Sequence, residues 1–173
     1  RIIRHFEAGD RQSGLRTNTF ITMLGTSHGE VFAGGVSGLY RYDRRNTSWD
    51  FLEAVAPFNF IHDLYEDLHG DIWIGTYGNG LFRYQRSSGT CIRITSGNEA
   101  GENPVGGHIT SVFEDRDSRL WVLTEGRGIS YIDDSTGLPV RFDNGKDLGS
   151  TIFCAMLQDA SGELWVSSTR GLL

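Results

Sequence analysis

One pattern recurs along the chain, and it limits the fold more than any other feature. The segment GDIWIGTYGNGLFRY, residues 70–84, has counterparts in GEVFAGGVSGLYRYD from Gly29, SRLWVLTEGRGISYID from Ser118 and GELWVSSTRGLL from Gly162. With the large aromatic after the turn as anchor, the copies align on Phe32, Trp73, Trp121 and Trp165, at spacings of 41, 48 and 44 residues. Twelve positions before each anchor stands an apolar residue, Phe20, Ile61, Ile109 or Phe153, and four positions further on stand Leu24, Tyr65, Phe113 and Leu157. Repeats of this length are those of propeller blades.

Each unit reads as four short antiparallel strands. The first is FITML, IHDLYED, ITSVFED or IFCAMLQD, and a polar turn follows, in which Gly29, Gly70 or Gly162 supplies a positive φ. The second strand is EVFAG, DIWIGT, RLWVLT or ELWVSS; in DIWIGT, Ile72 and Ile74 point to one face and Trp73 to the other, because strand side chains alternate. A glycine-bearing turn leads to the third strand, and a variable fourth follows. Four such strands form a sheet with two apolar faces, which must stack on like sheets to leave water. Radial stacking of this kind predicts an all-β propeller of about three and a half blades with the second-strand aromatics packed between sheets. The predicted boundaries are 20–59, 60–107, 108–150 and an incomplete 151–173, preceded by residues 1–19 as an outer strand, RIIRHF, and its connection. The chain begins at Arg1 without the charged, apolar and small-residue succession of a secretory signal, and it stops as a third strand begins, so the expectation is a piece of a longer protein.

Charge and composition narrow the function. The 22 acidic and 16 basic residues are interspersed, giving a net charge of -6 with no basic stripe, which argues against nucleic acid as a partner. No apolar run approaches the roughly 18 residues of a membrane-spanning helix. Gly is abundant at 23 and Pro scarce at 3, as expected of many tight turns. Cys91 and Cys154 lie in apolar strand-like settings and are expected to be buried free thiols.

The pattern of an apolar strand, an acidic turn and then G-x-[LI]-W-[IV]-G-T-x-x-G-G-L-x-x-[YF] resembles the two-component regulator propeller repeat. It does so most fully over Ile61 to Tyr84 and Ile109 to Asp133. The first copy departs with Phe32 for Trp and Gly35 for Thr, and the third has Leu123 where Gly is usual. The resemblance implies the periplasmic sensor region of a hybrid two-component system, with a membrane helix, histidine kinase and receiver elsewhere in the whole protein. It also implies an oligosaccharide ligand, further blades of the same chain as packing partners, a dimeric whole protein, and no catalysis or cofactor in this segment.

Other chemistries have less support. Glu66, Asp67, His69 and Asp71, with Glu114, Asp115 and Asp117, could be drawn as cation ligands, yet they occupy hairpin turns where Asp and Gly serve backbone geometry. The turn ASGELW is similar to the Asp box of sialidase-like propellers, but Arg127, Arg170, Tyr77 and Glu125 fall in turns of different blades with no motif fixing catalytic roles. None of His5, His28, His62, His69 and His108 has the spacing of a metal pair or a neighbouring nucleophile. His62 and His108 lie where a first strand begins, on the rim shared with the turns between second and third strands. The candidate ligand-binding residues on that rim are Asn59, His62, Tyr77, Asn79, His108, Glu125, Arg127 and Arg170, a mix of aromatic, amide and charged groups suited to a sugar. A propeller glycosidase or lyase, or a scaffold for protein contacts, is the alternative.

Overall fold

The computed structural model describes residues 3–55, 60–96, 103–142 and 151–173. It consists of antiparallel sheets with one 3-10 turn, Glu53–Val55. The first sheet comprises β1 (Phe20–Gly25), β2 (Val31–Gly35), β3 (Gly38–Asp43) and β4 (Ser48–Phe51). The second comprises β5 (Ile61–Glu66), β6 (Ile72–Thr76), β7 (Leu81–Gln85) and β8 (Thr90–Arg93). The third comprises β9 (Ile109–Glu114), β10 (Leu120–Thr124), β11 (Gly128–Ile132) and β12 (Pro139–Arg141). The fourth has β13 (Phe153–Gln158), β14 (Leu164–Ser168) and the short β15 (Gly171–Leu172). In each sheet the strands pair in sequence order, the meander of a propeller blade.

The first strands β1, β5, β9 and β13 pack successively on one another and so form the inner layer. Each carries an irregularity at its start that leaves one residue without a partner across the ladder: Ile21, His62, Thr110 and Cys154. A bulge of this sort bends the strand and re-aims its side chain.

Three apolar clusters fill the seams. Phe32, Leu64 and Ile74 belong to the first, Trp73, Ile109 and Val122 to the second, and Trp121, Leu123 and Phe153 to the third. Gly75 shows how close the sheets come, since a Cβ there would lie 2.7 Å from Ile109 Cγ2. The seams also carry a repeated polar tie. The backbone N–H of Ser27, Leu68 and Arg116, each in a turn after a first strand, donates to Glu66, Glu114 and Gln158 of the next sheet at 2.6, 3.1 and 2.9 Å. The acceptor closes the inner strand in every case, so the tie fixes the register between neighbouring sheets.

The turn after each inner strand has its own clasp. Asp67 Oδ1 accepts from the amides of His69 and Asp71, while its Oδ2 accepts from Trp73 Nε1 at 2.8 Å. Asp115 does the same for Asp117, Arg119 and Trp121, and Asp159 for Ser161, Glu163 and Trp165. The first sheet has Phe32 in place of tryptophan and Thr26 in place of the aspartate, with Thr26 Oγ1 accepting from the Glu30 amide. Loss of the indole donor thus accompanies loss of the carboxylate. In the third turn the positive φ is carried by Ser118, at 64°.

Three expectations need correction. Residues 3–19 form no strand: Gly9 and Gly14 take positive φ, Ser13 O accepts from Trp49 N at 2.8 Å, and Phe6 sets its ring edge-on to Tyr42 and Trp49. This segment wraps the outer edge of the first sheet. Cys154, the residue without a ladder partner at the start of β13, is exposed and Cys91 half-buried, both as free thiols. Trp165 is 43% exposed, whereas Trp73 and Trp121 are 4% and 5% exposed.

Candidate functional site

The turns between second and third strands fold back over the beginning of the inner strands. Tyr77 N donates to Phe60 O, Glu125 N to His108 O and Thr169 N to Ile152 O, each at 2.9 Å, and Val36 N to Thr19 O at 3.4 Å. The geometry follows from the antiparallel meander, which returns this turn to the end where the first strand enters. One rim therefore collects the residue before each inner strand, its bulged residue and the following second-strand turn.

Where the second and third sheets meet, this rim is densely furnished. The bulge on β5 presents His62, and its ring meets that of His108 edge-on at 4.8 Å and 81°. Tyr77 lies over His108 at 4.3 Å, and Phe60 packs on Tyr77 at 5.4 Å. Glu125 Oε2 lies 2.5 Å from His108 Nδ1, so the carboxylate accepts a hydrogen bond from that nitrogen and fixes the ring. The Tyr77 turn is stitched to the third sheet's entry, because Gly78 N and Gly80 N both donate to Gly107 O. Gly80 has φ 83°, and a Cβ there would stand 2.6 Å from Val105 O, so a side chain would push the two sheets apart.

Burial, with the neighbouring His108 as a second cause, holds the His62 imidazole below its ordinary pKa. The neutral ring is thereby favoured at physiological pH. His62 Nδ1 and His108 Nε2 are both buried with no hydrogen-bond partner among the described residues. Tyr77, by contrast, is 57% exposed and offers a ring face to solvent. The result is a surface with one stacking platform, one anchored carboxylate and two unsatisfied imidazole nitrogens.

Of the sequence-selected residues, the structure brings His62, Tyr77, His108 and Glu125 into contact. Asn79 lies in the same turn as Tyr77, its amide held by Thr76 Oγ1 at 3.1 Å. The Arg127 side chain runs alongside Gly107, with Nε 3.9 Å from the position of a Cβ there. Arg170 occupies the corresponding turn of the fourth sheet, with its amide on Ser168 Oγ. Asn59 lies outside the described residues. Sequence reasoning overlooked Phe60, whose φ of 71° is unusual for a bulky residue. Backbone outliers of this kind gather at functional positions, but no signal in the sequence announced it.

The opposite end of the same seam holds a cleft of about 320 Å³ between Asp67, Trp73, Arg83, Glu114, Asp133 and Asp134. Several of its charges are engaged: Arg83 pairs with Asp71 at 2.9 Å and with Asp67 at 3.6 Å, and Glu114 accepts from Leu68 N. The acidic clusters of the sequence are thus turn and seam elements.

Solved structures share this architecture. The chain superposes on the extracellular domain of a protein named as a one component system from B. thetaiotaomicron with a TM-score of 0.72 and 24% identity, covering 94% of this chain and 22% of that one. For the extracellular domain of a hybrid two component system from the same organism, the TM-score is 0.71 and the identity 22%, with 92% and 20% covered. PorZ, a surface component of the type-IX secretion system of Porphyromonas gingivalis, gives a TM-score of 0.72 at 16% identity, with 99% and 28% covered. The chain therefore spans about a fifth to a quarter of the length of these proteins. No curated protein sequence matches it. Residues 56–78 and 104–126, in the second and third units, match the model of the two component regulator propeller family.

Proposed function

We propose that the chain is part of the extracytoplasmic sensor of a hybrid two-component system and that the rim between its second and third sheets binds an oligosaccharide. The observation that carries this reading is the convergence of Tyr77, His62, His108 and Glu125 from two sheets onto one partly open surface. Tyr77 supplies the face on which a sugar ring stacks. Glu125 and the imidazole nitrogens accept hydrogen bonds from hydroxyl groups, and leaving buried acceptors unsatisfied costs free energy that a hydroxylated ligand would recover. The propeller fixes the position of these groups before the ligand arrives, which lowers the entropic cost of binding. The family repeat and the fold shared with extracellular domains of two-component sensors support the cellular setting. Signalling then requires that the ligand bind one arrangement of the whole sensor better than another, shifting the population that controls the kinase.

The rim is better suited to binding than to glycoside hydrolysis. Hydrolysis by the usual route needs two carboxyl groups flanking the bond, roughly 5–9.5 Å apart, and Glu125 is the sole carboxylate in the described cluster, held by His108. Calorimetry of the chain against a panel of plant, host and microbial glycans, with product analysis of the same mixtures, tests both readings. Saturable binding without new products is expected. Product formation that Glu125→Gln abolishes would replace the sensor reading with the enzyme one.

A further inference from the structure

His62 and His108 are separated by 46 residues in the chain and meet across the seam between the second and third sheets. Each ring has one buried nitrogen without a hydrogen-bond partner among the described residues. Glu125 accepts a hydrogen bond from His108 Nδ1, and Nε2 on the far side of that ring is buried with no partner among the described residues. The main chain of Thr110, the third sheet's partnerless residue, is the backbone acceptor facing the His62 ring. Nδ1 of His62 is buried and has no hydrogen-bond partner among the described residues. Two buried nitrogens in adjoining rings, with no partner among the described residues, leave hydrogen-bonding capacity unused in a place where that is costly. Histidines that ligate metals commonly have the other ring nitrogen on a carboxylate or a backbone carbonyl, as His108 has with Glu125.

We propose that His62 Nδ1 and His108 Nε2 form a binding site for a divalent transition metal of the zinc or copper type. Imidazole nitrogens suit those ions, whereas calcium and magnesium want oxygen ligands. Glu125 acts as a positioning residue that orients His108. No group of three or more His, Cys, Asp or Glu side chains among the described residues forms a complete ligand set, so water or hydroxyl groups of a ligand would supply the remaining positions. Tyr77, tilted against His108 at 54°, covers one side. The site shares the rim with the saccharide reading but does not depend on it, because the ion binds the two imidazoles whether or not a sugar follows.

The test uses the chain with Cys154→Ser, since that exposed thiol would otherwise capture the same ions. Zinc chloride is titrated by calorimetry at neutral pH, and cupric ion is followed by electron paramagnetic resonance, whose nitrogen hyperfine pattern counts the imidazoles. One equivalent with two nitrogen ligands is expected. His62→Ala and His108→Ala should each remove one nitrogen and weaken binding at least about tenfold, and Glu125→Gln should weaken it by about 10- to 100-fold. His28→Ala and His69→Ala, in exposed turns, should change nothing. His108→Gln is the milder replacement if the alanine variant loses its strand spectrum. Absence of one-to-one binding, or binding that survives in the His62→Ala/His108→Ala double variant, overturns the proposal. Glycan calorimetry repeated with a chelator separates the two readings, since sugar binding that persists there upholds the rim while leaving the ion without a part in it.

Discussion

The second and fourth sheets carry nearly the same words, DIWIGT and ELWVSS, and the same clasp of indole on turn aspartate, yet their tryptophans have different fates. Trp73 is 4% exposed and Trp165 is 43% exposed. Their hydrogen bonds to Asp67 and Asp159 are alike, at 2.8 and 2.9 Å. The clasp is therefore a local device, complete within six residues, while burial comes from the neighbouring sheet: Trp73 shares its cluster with Ile109 and Val112 of the third sheet. A repeat unit specifies its own hairpin turn but not its own core, which is the physical meaning of nearest-neighbour stability in repeat proteins.

That difference should appear in stability. Trp73→Ala removes a large side chain from a closed seam and should cost about 3–5 kcal/mol, whereas Trp165→Ala should cost less than about 1 kcal/mol, as measured by chemical denaturation. Equal losses would mean that the two indoles share one environment. Next in size is Gly75→Ala, whose new methyl would press on Ile109 and should cost about 1–3 kcal/mol. Ser167→Ala, at the matching place in the fourth sheet, should stay within about 0.5 kcal/mol. Asp67→Ala leaves two turn amides and a buried indole N–H without their acceptor, for which a loss of about 1–3 kcal/mol is expected.

The smallest effect concerns the exposed clasp. Hydrogen bonds from Ser161 and Trp165 hold the Asp159 carboxyl down to about 2. A depressed carboxyl favours the folded turn at any pH above its ordinary value, and that contribution fades as the pH falls through about 2. The indole N–H resonance of Trp165 should accordingly move in that acid range. A midpoint at the ordinary aspartate value would show that the clasp is open in solution.

Much of this was legible in the sequence, for identifiable reasons. The inner strands and anchors follow from period-two alternation and from a repeat in register, both of which are local. The pairing of Asp with Trp and of Thr26 with Phe32 was also present as a signal, at a constant offset of six residues. Contacts between units were not legible. Nothing in the spacing of His62 and His108 shows that a bulge turns one toward the other, and the exposure of Trp165 and Cys154 depends on what covers the fourth sheet. The opening RIIRHF has strand-like composition, but the glycine turns that follow allow Phe6 to fold onto Tyr42 and Trp49.

The same contrast divides the rim. At the seam of the second and third sheets Tyr77, His62, His108 and Glu125 are in contact, while Arg170 marks the equivalent turn of the fourth sheet. The most direct measurement is calorimetric titration of the glycan that binds best into the wild-type chain and its Tyr77→Ala, His108→Ala and Arg170→Ala variants. Affinity should fall at least about tenfold with Tyr77→Ala, since a stacked aromatic contact and its buried area are worth more than about 1.4 kcal/mol, and similarly with His108→Ala. Arg170→Ala should bind as the wild type does. Full binding by Tyr77→Ala and His108→Ala, with loss in Arg170→Ala, would contradict the assignment of the site to this seam.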